Sequence, residues 1–80
     1  MLIFKKTKAG PQSQTKLQKR VASISSPDLV TWSENALFVI GKEVTGWLKD
    51  HNKDHLYEAE MGAEALLAIT QELVKRSKHE

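Results

Sequence analysis

Between Leu29 and Trp47 apolar residues return every three or four positions, and they do so again between Leu56 and Val74. A 3.6-residue period sustained over about six turns admits a helix and excludes a half-buried strand, whose side chains alternate at every second position. In the first segment Leu29, Ala36, Leu37, Ile40, Val44 and Trp47 fall on one broad face. Val30 and Leu48 flank it on one side, Trp32 and Val39 on the other, and Thr31, Lys42 and Lys49 lie opposite. Ser26 is expected as the N-cap, Pro27 as the first helical residue and Asp28 as a charge favoured by the helix dipole. The spacing therefore predicts a helix over about 27–50. Gly41 and Gly46 oppose it, at about 1 kcal/mol each relative to alanine.

The second segment predicts a helix over about 55–77. Its early turns carry Glu58, Glu60 and Glu64 and its last turns Lys75 and Arg76, as the dipole prefers. Glu72 and Arg76 stand at i,i+4. Leu56, Ala59, Ala63, Leu66, Leu67, Leu73 and Val74 share one side, with Gly62 and Ile69 flanking. The connection, residues 50–54, is polar. Asn52 is expected to take the left-handed conformation that ends the first helix, and Asp54 to cap the second. Two helices of nearly equal length and a short turn describe an all-α fold, an antiparallel helical hairpin.

Eighty residues without a cysteine bury a small core and form no disulfide. Two helices cannot bury two broad apolar faces against each other, so a second protomer completing a dimeric four-helix core is expected. Ala59, Gly62 and Ala63 would let the helix backbones approach, with Trp47 as a bulky complement.

Charge divides the chain at the same place as the helical pattern. Residues 1–27 hold six basic side chains and no acidic one, and the remainder holds six basic and ten acidic. Residues 1–26 thus read as a basic arm and 27–80 as the helical domain. Within the arm, Gly10-Pro11 and a polar run read as linker over 5–15. Leu17, Val21 and Ile24 form a short amphipathic stretch. Six cations in an arm suit a polyanion, so nucleic acid or the ribosome is the alternative partner. A single arginine and one aromatic in that arm argue against base readout by stacking.

No apolar run approaches the roughly 18 residues of a membrane span, and the order of Met1-Leu2-Ile3-Phe4 before Lys5-Lys6 reverses a secretory signal. The chain reads as cytoplasmic, with membrane contact disfavoured. His51 and His55, four apart and close to Asp50, Asp54 and Glu58, resemble a metal set only if one helix carries both. The expected turn separates them, so no metal or other cofactor is assigned. The glutamates of the second helix are explained by a solvated face, and no nucleophile motif or phosphate loop is present, so no catalytic residue is assigned. The interaction candidates are Phe38, which falls among Thr31, Lys42, Thr45 and Lys49, together with Trp32, Tyr57 and Met61. Lys5, Lys6, Lys8, Lys16, Lys19 and Arg20 join them from the arm. The expected function is a small non-catalytic interaction or regulatory module, homodimeric.

Overall fold

A computed structural model describes residues 15–79, all of whose regular structure is helical: α1 (Lys16–Ala22), α2 (Ser26–Asp50) and α3 (Lys53–Ser77). The α1 helix begins at a reciprocal cap that lies in the stretch expected to be linker. The Gln18 backbone N–H donates to Thr15 Oγ1 and the Thr15 backbone N–H donates to Gln18 Oε1, each at 3.0 Å. The α2 helix starts one residue earlier than expected. Ser25, not Ser26, is the cap, accepting from the Asp28 N–H at 3.3 Å, so Ser26 and Pro27 are the first two helical residues.

The turn also departs from expectation, for a geometric reason. Only two residues separate α2 from α3, and one must be left-handed to end the first helix while the other is extended to cap the second. His51 takes the left-handed role (φ 58°, ψ 26°) and Asn52 the extended one (φ −81°, ψ 116°). Asn52 Oδ1 accepts from the Asp54 N–H at 2.9 Å, so Asp54 sits inside the first turn rather than capping it. Asp50 Oδ1 accepts from the Asn52 N–H at 2.9 Å, and the His51 ring stands edge-on to Trp47 with centroids 5.1 Å apart.

Beyond the turn α2 and α3 pack along each other. Gly46 meets His55, Ile40 meets Gly62, and Leu29 joins Ile69, so pairs nearer the start of α2 lie nearer the end of α3. Small residues keep the two backbones close: Ala36, Ala59 and Ala65 are buried, and a Cβ at Gly62 would stand 3.1 Å from Ile40 and 3.4 Å from the Ala36 carbonyl. At the end remote from the turn, α1 lies against α3. There Val21, Leu29 and Ile69 are almost wholly buried with Ala68, and Leu17, Ile24, Trp32 and Leu73 pack around them.

A seven-residue helix is too short to hold itself, and Arg76 supplies the missing anchor. Its Nη2 donates to the carbonyls of Val21, Ala22 and Ile24 at 3.2, 3.4 and 2.7 Å, and Nη1 donates to Ser26 Oγ at 2.9 Å. Glu72 accepts from Nε at 2.8 Å, fixing the guanidinium plane. One side chain of α3 thereby satisfies the end of α1 and touches the start of α2.

The buried face of α3 corrects the expectation. Ile69, assigned to a flank, is at its centre with Ala65 and Ala68, while Leu56, Ala63, Leu67 and Val74 are exposed. On α2, Leu29 and Ala36 are buried, but Leu37 and Val44 are exposed. In each helix the sequence pattern pools two neighbouring apolar stripes, of which the intramolecular contact uses one.

Candidate functional site

The unused stripes lie together. The contact line of α2 runs through Leu29, Ala36, Ile40, Glu43 and Trp47, and each exposed member of its stripe is one position further on: Val30, Leu37, Gly41, Val44 and Leu48. The contact line of α3 runs through His55, Gly62, Leu66, Ile69 and Leu73, and again the exposed members follow by one: Leu56, Ala63, Leu67, Thr70 and Val74. Two right-handed helices that run in opposite directions present the positions just after their contact lines on the same side. The two stripes are therefore one face.

Its composition differs from ordinary helix surface. Those ten positions are uncharged, but Glu34 and Glu60 continue the same spacing and interrupt the stripes between Val30 and Leu37 and between Leu56 and Ala63, and Lys78 stands at one end. Val30, Leu37, Val44, Leu48, Leu56, Leu67 and Val74 are between 38% and 62% exposed. That leaves on the order of 600 Å² of mostly apolar surface, at the upper end for a monomer. Gly41 lies at its middle with nothing within 4 Å of where a Cβ would be.

The opposite side is more broken. It carries α1 over Ala68 and a shallow open groove between α2 and α3, lined in part by Trp32, Val39, Glu58 and Met61. The structure thus brings two of the expected interaction residues together, Trp32 and Met61. Trp32 is half-buried against the core and Met61 is 62% exposed. Phe38 (70% exposed) and Tyr57 are exposed away from that groove and from the apolar face. Lys16, Lys19 and Arg20 are exposed on α1, where Lys16 and Arg20 flank Leu17. Lys5, Lys6 and Lys8 lie outside the described residues.

The histidines of the turn separate as expected. His51 caps α2, whereas His55 lies back on α2, with Nδ1 2.7 Å from Glu43 Oε1 and Nε2 3.1 Å from Asp50 Oδ2. Among the described residues no group of three or more His, Asp or Glu side chains is placed to hold a metal ion. The bond to Glu43, then that to Asp50, holds the His55 imidazole above its ordinary pKa. Glu43 is held below the usual carboxylate range first by His55 and then by Lys42. Asp50 is held low first by the Asn52 N–H and then by His55. Sequence reasoning paired Arg76 with Glu72, as found, but missed this grouping and the reach of Arg76 to the end of α1. The available signal for the first was Gly46, which looked like a cost to the helix but leaves room for the imidazole: a Cβ there would stand 2.9 Å from His55 Cε1.

Among the described residues no helix is long and apolar enough to cross a membrane. Comparison with models of known protein families, with curated proteins and with solved structures finds no match.

Proposed function

We propose that the chain is a small non-catalytic interaction module, an antiparallel helical hairpin whose partner is a second copy of itself. The exposed apolar face of α2 and α3 is the observation that carries this reading. An interface core is depleted in charge relative to the rim, and the stripe positions Leu37, Gly41, Val44 and Leu48 on α2 and Ala63, Leu67, Thr70 and Val74 on α3 carry none. Its area supports a self-complementary pair: about 600 Å² from each copy gives about 1,200 Å², the lower bound for a stable specific interface. Joining two such faces completes a four-helix core in which the exposed leucines and valines leave water.

Light scattering on the purified chain tests it. The expected mass at tens of micromolar is twice the 9.0 kDa of the chain. Leu37→Glu and Val44→Glu each place a carboxylate within the joined faces and should weaken association by about a hundredfold or more. A wild-type chain that stays monomeric at these concentrations would sink the reading.

A further inference from the structure

The turn end of α2 and α3 is held by a grouping that has a proton at its centre. Gly46 exposes bare backbone on α2, and the His55 ring lies on it, with its Cε1, Nδ1 and Nε2 all between 2.9 and 3.2 Å from the position of a Cβ. On one edge of the ring stands Glu43, from the middle of the α2 contact line; on the other stands Asp50, from the last turn. Both ring nitrogens thus face carboxylate oxygens. A neutral imidazole has one donor and one lone pair, so it satisfies one carboxylate and presents its lone pair to the other. The imidazolium donates to both, and each bond is then charge-assisted.

We propose that His55, Glu43 and Asp50 form a proton-operated clasp, closed when the imidazole is charged and loosened when it is neutral, that holds the start of α3 on α2. The other groups facing it are few. Lys42 pairs with Glu43 at 3.4 Å from the far side, His51 lies near Asp50, and the Asn52 N–H donates to Asp50. On its own helix His55 has Lys53, Asp54 and Glu58 nearby in sequence, and α1 packs at the other end of α3. Glu43 is shielded (15% side-chain exposure) and the His55 ring partly so (30%), so their bond is less screened than a surface pair. The clasp does not depend on the dimer reading, because every group in it belongs to one chain.

The direction of the pH response follows from the shifts. The His55 pKa is raised on folding, so its contribution is complete below its unfolded value near about 6.5 and is lost as pH rises through the folded value. Glu43 and Asp50 are lowered, so their contribution is present above the unfolded carboxylate values near about 4 and is lost as pH falls through the folded ones. The clasp is therefore tightest in mildly acidic solution and loosens toward alkaline pH.

An NMR titration of the His55 ring protons, in the folded chain and in urea, tests this directly. The folded midpoint should lie above the unfolded one, and Glu43→Gln should lower it. Gly46→Ala supplies a variant that keeps the fold, since the ring can swing off the new methyl while the helix gains about 1 kcal/mol of propensity. It too should lower the midpoint. Thermal unfolding of wild type from about pH 6 to 9 should show a falling melting temperature across the folded midpoint, a slope that His55→Gln removes. A folded midpoint at or below the unfolded one, or Gly46→Ala and Glu43→Gln leaving it unmoved, overturns the clasp. So does an unchanged slope in a folded His55→Gln. If that variant does not fold, the titrations of the other three chains decide.

Discussion

The two ends of the α2–α3 pair solve one problem by different means. At the end near α1 a third element is present, so apolar side chains can be surrounded, and Val21, Leu29 and Ile69 are almost inaccessible to water. At the turn end there are only two helices, and two cylinders in contact leave most of their surface outside. There the junction is made by His55 with Glu43 and Asp50, and Leu48 and Leu56 stay exposed. Burial needs a third layer, whereas a charge-assisted hydrogen bond needs only two partners in register. The α1 end is expected to carry most of the stability, and the turn end the dependence on conditions.

The largest test of that contrast is Ile69→Ala. It removes a fully buried side chain from the junction of all three helices and should cost about 2–5 kcal/mol, read from the urea midpoint. For a domain of this size that is a large part of the total. A loss under 1 kcal/mol would mean that the α1 end is not the stronger one. Next is Arg76→Met, which keeps the aliphatic stem and removes every bond to the α1 carbonyls. It should cost about 1–3 kcal/mol, because carbonyls that are partly buried lose their donor. Amide exchange in α1 should accelerate more than exchange in the middle of α3. Equal acceleration in both would show that α1 and the α2–α3 pair unfold as one unit. The smallest effect belongs to Phe38→Ser. Phe38 is 70% exposed at neither end and off the apolar face, so stability should move by no more than about 0.5 kcal/mol and the oligomeric mass should be unchanged. A change in that mass would enlarge the proposed interface to the outer side of α2.

Much of this architecture is legible in the residues. The apolar period places α2 and α3 to within two residues at each end, and Leu17, Val21 and Ile24 mark a packed stretch within the basic arm. The i,i+4 pair of Glu72 and Arg76 is also readable, because it is local. What could not be read is where Arg76 spends its other donors. They reach residues 50 to 55 positions away, and nothing in their local sequence records the approach. The division of each apolar face was hidden for a related reason. A helical wheel gives the angle of a side chain about its own axis but not the direction in which the neighbouring helix lies. Leu67 and Ile69 look equally fit for the core until α2 takes the side of Ile69.

The turn shows the same boundary on a smaller scale. Asp50 to Asp54 announce a helix end and a helix start, but the exchange of roles between His51 and Asn52 depends on there being only two residues between the helices. The sequence by itself determined that the described chain is helical, where its two long helices begin and end to within two residues, and that its basic charge precedes an acidic body. Periodicity, capping and charge act over a few residues and are written locally. Only the tertiary structure decided which apolar stripe is buried and which is left as a face. It also decided that Gly46 admits His55 and that Arg76 closes α1, since each depends on two distant segments meeting at a fixed register.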